Sequence, residues 1–445
     1  MSRLGNDSAE PFDVVIVTPT YISSNPRVVK EADALADAGL RVCVVFSQGQ
    51  FLDARMDDAL VSTARPWSSH AISWSDEIPE ERLTYWWSST RFRVARRLPF
   101  AASGPLWLVE RAECRTYPEL ARAAAAIPGR LYIGHYPEGL AAAAKAATRR
   151  KALLAYDVED LHTAEDLPTR SGRQRSARVA RIERRHIGHC AYVSAVSPGV
   201  ARALATRYAI PMPLVVHNTF PWSDRSSIDG EIKDRNDSTL PSVYWFSQVI
   251  GLDRGLPDAI RALGRVRSAF QLHVRGYCYG NVAEQLRSLA REAGIADRLF
   301  IHGRVPPPEL LSRTAEHDIG LALEQPISPN KALTVANKVF FYMLAGLAIV
   351  ATATPGQEAI LAESPDAGDL YQPGDHDALT HILERLLSDP ALLARRRRAA
   401  LAAAQHRWNW ESEQGPLVTT VFRALGETPP ASARARVGSE PAVAR

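Results

Sequence analysis

The stretch 13-DVVIVTPTYISSNPRVVKEADALADAGLRVCVVF-46 decides the fold. Residues 13 to 18 form a short β-branched run, the signature of a strand. Residues 26 to 38 place Val28, Val29, Ala32, Leu35 and Ala36 on one helical face, and Gly39 supplies the C-cap. Residues 41 to 46 return to an apolar strand. A β-α-β order needs a crossover connection, and strands buried on both faces read as continuous apolar runs, so the spacing predicts a parallel sheet covered by helices.

The pattern repeats outward from there. Strands are predicted at 131–134, 152–156, 192–196 and 214–217, with helices at 138–149 and 198–208, the second opened by Ser197 as N-cap and Pro198 as N1. Residues 219–241 lose all periodicity and become polar and charged, as an interdomain linker does. The alternation then restarts, with strands at 243–247, 270–275, 299–302, 319–323 and 347–353. Helices are expected between them at 256–268, 281–293, 307–316 and 334–345, and after them at 376–388 and 390–405. The α/β reading is therefore two doubly wound, Rossmann-like domains, 13–218 and 242–407, joined by the linker 219–241. A further helix spans 408–425, and the ends 1–12 and 426–445 are expected to be disordered. Ligands of such folds bind outside the carboxyl ends of the strands, which here implies a central cleft between the two sheets.

Composition narrows the classes. Hydrophobic residues are 46% of the 445 and charged residues 23%, the values of a globular chain. Cys43, Cys114, Cys190 and Cys278 show no ligand spacing, so neither a disulfide framework nor a metal site is expected, and a cytoplasmic location fits best. The first eleven residues lack the apolar region of a secretory signal, and the longest apolar stretch, 339–353, is too short to span a bilayer. A net charge of +4, scattered over both halves, argues against a nucleic-acid partner. No GxGxxG follows any predicted strand, which disfavours a nicotinamide enzyme.

Five segments, in order, resemble glycosyltransferase family 4 (glycosyl transferases group 1), the retaining transferases of GT-B fold. They are 18–42, YDVEDLH at 156–162, VSPGVARALATRY at 196–208, WFSQVIGLDRGLPDAIRAL at 245–263, and NKVFFYMLAGLAIVATATPG at 337–356. The resemblance implies a nucleoside-diphosphate sugar as co-substrate, bound by the second domain, and transfer with retention to an acceptor hydroxyl held mostly by the first. It implies no cofactor and no metal, and it makes helix 408–425 the segment that crosses back to the first domain. The acceptor is left open among a small metabolite, a polysaccharide and a lipid carrier.

Candidate residues follow from the chemistry of a departing diphosphate, which needs pre-aimed cations and N–H donors. Arg254, in GLDRG, stands where the family commonly has a phosphate-binding lysine, and a guanidinium can hold phosphate oxygens bidentately. Gln248 replaces the other basic residue of that loop, so Arg275 and Lys331 are candidates for the missing charge. Ser328, Asn330, Thr334, Asn337 and Lys338 complete the expected donor site, with Thr334 capping the helix and its dipole facing the ligand. Leu333 and Phe341 occupy positions where many members carry two glutamates. In the first domain His135 ends a strand and is expected near the reacting centre, with Arg27, Glu138, Asp157, Glu159 and Asp160 on the acceptor side and Asn25 as a helix cap. The departures at Gln248, Leu333 and Phe341 keep a catalytically silent partner subunit as an alternative, and a sugar-nucleotide epimerase is a third.

One segment stands outside this reading. Residues 85–107 mix Trp86, Trp87, Phe92 and Trp107 with Arg91, Arg93, Arg96 and Arg97, the composition of a membrane-interfacial segment. At about 1 kcal/mol per basic residue, four arginines alone give weak peripheral membrane contact, and burial of the aromatics in an acceptor-side subdomain is the preferred expectation.

Overall fold

The opening stretch forms the predicted unit. Strands β1 (Phe12–Val17) and β2 (Val42–Gln48) run parallel, with Val14 opposite Val42 and Val17 opposite Val45, and helix α1 (Pro26–Asp37) connects them. The computed structural model describes residues 10–49, 57, 65–165, 169–235 and 239–431; of the ends expected to be disordered, 1–9 and 432–445 lie outside these.

The chain divides into two compact units, one of residues 1–216 with 414–445, the other of 217–413. The first holds a parallel sheet ordered β3-β2-β1-β4-β5-β6-β7. Its remaining strands are β3 (Ser68–Ser73), β4 (Gly129–His135), β5 (Leu153–Val158), β6 (Tyr192–Ala195) and β7 (Leu214–Val215). Helices α2 (Arg82–Arg97), α3 (Leu106–Glu113), α4 (Tyr117–Ala126), α5 (Tyr136–Arg150), α6 (Arg170–His186) and α7 (Pro198–Tyr208) accompany it.

The second unit holds a parallel sheet ordered β10-β9-β8-β11-β12-β13. Its strands are β8 (Ser242–Ile250), β9 (Gln271–Cys278), β10 (Leu299–His302), β11 (Ile319–Ala322), β12 (Ala348–Thr352) and β13 (Gly368–Tyr371). Helices α8 (Leu256–Leu263), α9 (Val282–Glu292), α10 (Pro307–Ala315), α11 (Pro329–Leu333), α12 (Asn337–Ala345), α13 (Pro355–Glu363), α14 (His376–Ser388) and α15 (Pro390–His406) follow. The last helix, α16 (Trp410–Leu425), runs across the division at Gln414. Alternate residues of β8 feed two cores: Val243 and Trp245 pack with Leu256, Leu272 and Leu383, while Tyr244 packs with Tyr342, Leu347 and Trp408. That division is what a sheet covered on both faces requires.

The segment 219–241 differs from a free connector. Its described part is fastened to the second unit: Asp229 pairs with Arg313, Asp234 with Arg275, and the Trp222 amide donates to Glu411. Asp234 also lies beside a stack of three histidines, His273, His302 and His317, with His273 Nδ1 2.9 Å from His302 Nε2. Polarity suggested a linker because it is also what a segment needs when it pairs with buried charges remote in sequence.

Candidate functional site

Strand order reverses between β1 and β4 in the first sheet and between β8 and β11 in the second. Adjacent connections leave in opposite directions at such a point, opening a crevice at the carboxyl ends of the strands. A cluster of charged side chains stands at each.

In the first unit β4 passes into α5 with no intervening loop. His135 ends the strand and Tyr136 starts the helix in the left-handed region, φ 62°. The close turn depends on glycine: a Cβ on Gly134 would lie 2.5 Å from the Leu140 backbone, and one on Gly139 2.4 Å from the Val17 carbonyl oxygen. A non-glycine residue held at positive φ costs of order 1 kcal/mol or more, and such strain gathers at functional positions. The elbow aims the His135 imidazole into a polar cluster. Nε2 lies 2.7 Å from Glu31 Oε2, and Nδ1 lies 3.2 Å from Glu159 Oε1 and 3.4 Å from Asp157 Oδ2. Arg27 donates from Nε and Nη2 to the two oxygens of Asp157, at 2.6 and 2.7 Å, and Ser194 Oγ donates to the same carboxylate.

The electrostatics follow from that packing. Burial pulls the His135 imidazolium down, but Asp157, Glu159 and Glu31 outweigh it and raise the group to about 10. Burial raises Asp157, and Arg27 outweighs it, leaving the carboxyl at about 2. His135 is thus a fully buried cation donating from both nitrogens, which corrects the expectation of a histidine facing the reacting centre. Glu159 is the member that reaches solvent, fixed by His135 and by the Asn25 side-chain amide at 2.9 Å. The carbonyl of the same Asn25 side chain caps α1 by accepting from the Val28 amide, as expected. Arg27 is buried and directs its guanidinium to Asp157 and the Val216 carbonyl. Glu31, His135 and Asp157 offer atoms within 4.8 Å of one another, the spacing of a cation site. Arg27 already supplies a cation against Asp157, and a second would be repelled. Glu138 stands apart, half-buried, where burial and the neighbouring Glu113 push its carboxyl up to about 7. Asp160 is half-buried beyond the end of β5.

In the second unit the turn after β8 carries Arg254, whose Nη1 donates to Ser247 Oγ at 3.0 Å. Gly255 follows at φ 74°, packed so closely that a Cβ would lie 2.6 Å from that of Leu323. This draws the β8 turn against the segment leaving β11, where Glu324 sits. Lys338 Nζ donates to Glu324 Oε1 at 2.9 Å and lies over the Trp245 ring. Burial raises the Glu324 carboxyl, but Lys338, Lys331 and Arg254 together outweigh it and hold it below its ordinary value. Lys338 thus pairs with a carboxylate that sequence reasoning passed over, and the charges of Lys331 and Arg254 act on the same group. Its only signal was a charged residue directly after a buried strand.

The other expected donor residues divide. Gln248 is exposed on β8 and Asn337 is exposed at the start of α12. Ser328 caps α11 through the Lys331 amide, and Asn330 is buried. Thr334 is corrected: instead of capping a helix 334–345, it ends α11, its hydroxyl donating to the Asn330 carbonyl. A Cβ on Gly356 would lie 2.2 Å from the Thr334 carbonyl oxygen, so α13 packs against an extended backbone here. Arg275 is also corrected, being buried against Asp234 and the Gly303 carbonyl. Phe341, in place of a family glutamate, is buried between Phe220 and Phe246, with ring centroids 4.9 and 5.1 Å away.

Comparison with known proteins agrees with this architecture. Two doubly wound parallel sheets are the GT-B architecture, and solved GT-B structures match nearly the whole chain in fold. HepE from Anabaena, in complex with UDP, is 15% identical over 92% of this chain and 100% of its own, with TM-score 0.65. Sucrose-phosphate synthase from Thermosynechococcus elongatus is 14% identical over 93% and 100%, with TM-score 0.65. A UDP-N-acetylglucosamine 2-epimerase is 12% identical over 95% and 99%, with TM-score 0.55. No curated protein matches in sequence. Residues 241–389, within the second unit, match the family model described as Glycosyl transferases group 1.

Proposed function

We propose that this chain is a glycosyltransferase that moves a sugar from a nucleoside-diphosphate donor to an acceptor hydroxyl with retention at the anomeric carbon. The observation that carries the proposal is the Lys338–Glu324 ion pair at the switch point of the segment that matches the Glycosyl transferases group 1 model, with the charges of Lys331 and Arg254 bearing on the same carboxylate. As the anomeric C–O bond breaks, negative charge grows on the diphosphate, and cations already in place stabilise it without reorganisation. Arg254 is the clamp in this reading, being half-buried, donating to the Ser247 hydroxyl and, among the described residues, in no ion pair. Lys338 is fixed by Glu324 and contributes field from a set position. These side chains supply the charge that a metal supplies elsewhere, so the reaction is proposed to run without one. HepE was crystallised with UDP-glucose, which supports a uridine nucleotide as the first donor to test. Glu159, held at the surface of the first unit, is proposed to receive acceptor hydroxyls.

The test is a thermal shift of the full chain against UDP, GDP, ADP and TDP, followed by product analysis with the sugar of the stabilising nucleotide. A nucleotide at a hundred times its Kd stabilises by about 2.7 kcal/mol. No shift with any of them overturns the proposal. Burial of Phe341 in an aromatic cluster favours one alternative, a silent partner subunit with altered donor recognition. Nucleotide binding without donor hydrolysis or transfer supports that reading, and an epimerised donor formed without acceptor supports an epimerase.

A further inference from the structure

Helix α2 is built inside out. Its large apolar residues Leu83, Trp86, Trp87 and Val94 are 81, 59, 65 and 55% exposed, while the residues it buries are Ser88 and Ala95. The exposed set recurs at three- and four-residue spacing and forms one stripe along the helix. The inner face is held by polar contacts: Arg115 donates to Ser88 Oγ and the Tyr85 carbonyl, and Arg91 pairs with Glu119. The sequence-based expectation of burial is thereby overturned for Trp86 and Trp87, while Phe92 is half-buried. Burial of a Trp side chain is strongly favourable, so a fold that keeps Ser88 in and Trp87 out has another use for the outer face.

The patch continues beyond the helix. Leu98, Phe100 and Trp107 are also exposed, so seven of the thirteen exposed large hydrophobic side chains among the described residues fall between Leu83 and Trp107. Arginines border the stripe at positions 82, 93, 96 and 97, and no acidic residue occurs between Glu81 and Glu110. Trp107 also lines a cleft of about 430 Å³ with Arg111, Lys145, Thr148, Arg149 and His186. Glu110 in the same cleft is engaged by His186 at 3.8 Å and by Tyr117.

We propose that this face of the first unit docks on an anionic lipid bilayer, with the indoles of Trp86, Trp87 and Trp107 in the headgroup region and the arginines against lipid phosphates. Charge complementarity selects the occupant. An apolar stripe alone fits a protein partner equally well, whereas exposed aromatics and arginines with no carboxylate from 82 to 109, after the exposed Asp76, Glu77 and Glu80, match a negatively charged interface along that stretch. Among the described residues no helix is long and apolar enough to cross a membrane, so the contact is peripheral. The proposal is independent of the sugar chemistry.

The experiment is sedimentation of the full chain with vesicles of phosphatidylglycerol and phosphatidylcholine in equal parts, beside vesicles of phosphatidylcholine alone, at low salt. The expected result is co-sedimentation with the anionic vesicles only, with a blue shift of tryptophan fluorescence. The variant carrying Leu83→Ser, Trp86→Ser and Trp87→Ser should remain in the supernatant with an unchanged circular dichroism spectrum. Arg93→Ala and Arg97→Ala should each weaken binding roughly fivefold. Tyr279→Ser, at an exposed aromatic of the other unit, should change nothing. A chain that stays in the supernatant, or that binds neutral vesicles equally well, overturns the proposal. So does a self-associating chain that the triple serine variant converts to monomer, since the face would then be an interface between copies.

Discussion

Arg254 is the residue on which the donor reading turns. If it clamps the diphosphate, Arg254→Ala removes a charge-assisted hydrogen bond worth about 1.5 to 3 kcal/mol. That lowers kcat/KM about ten- to a hundredfold, partly in kcat because the charge grows in the transition state. Stability should hardly change, since its side chain donates to the Ser247 hydroxyl, a single neutral partner. Unchanged kinetics would remove it from the site. Phe341 supports the opposite kind of test. Restoring the family's acid by Phe341→Glu places a carboxylate among Phe220, Phe246 and Tyr342, and the expected outcome is a loss of about 3 kcal/mol or more in denaturant unfolding rather than tighter donor binding. Arg254 and Lys338 were legible as single residues because each lies in a motif. Glu324 and the pairing of Arg275 with Asp234 were not, because partners 14 and 41 positions away leave no local pattern.

Elements were legible where burial and period agree. Strands buried on both faces read directly from their apolar runs, and α7 was found at its observed bounds from Ser197 and Pro198. β3, with the sequence SSHAIS, was missed because it is an edge strand with only Ile72 buried. α2 was missed because its apolar stripe points outward and its inner face is small. The helix expected at 334–345 begins only at Asn337, because Thr334 is extended beneath Gly356. The elbow between β4 and α5 gives a sharp test at this scale. Gly139→Ala puts a methyl 2.4 Å from the Val17 carbonyl oxygen, so β1 or α5 must shift, at a cost of about 1 to 3 kcal/mol. Gly188→Ala meets nothing within 4 Å and serves as the control. A Gly139→Ala protein as stable as that control would show that the elbow does not depend on close approach.

Across the whole molecule the two units carry opposite histidines, and their stabilities should diverge with pH. In the first, His135 has a folded value of about 10 against an ordinary 6.5, so its contribution is complete below pH 6.5 and is lost as pH rises toward 10. In the second, burial and then the neighbouring histidine and arginine charges depress His273 to about 3, and burial likewise dominates in lowering His302 and His317. A depressed group binds its proton more readily when unfolded. The second unit is therefore most stable above pH 6.5 and loses stability as pH falls toward 3. Each histidine protonated only in the unfolded chain adds about 1.4 kcal/mol per pH unit, and His302, partly exposed, contributes less. Asp157 and Glu413, both at about 2, lose their contributions only below their ordinary values; Glu138, raised to about 7, adds to the first unit's gain on mild acidification, while Glu316, raised by burial, offsets part of the second unit's loss. Hydrogen exchange of the full chain at pH 5 and pH 9 resolves the units through β8 and β4. Between pH 7 and 5 the slowest amides of β8 should lose protection more than those of β4, after correction for intrinsic exchange, and between pH 7 and 9 the order should reverse. Equal loss in both strands at pH 5 would mean that Asp234 and its histidines do not govern the acid stability of the second unit.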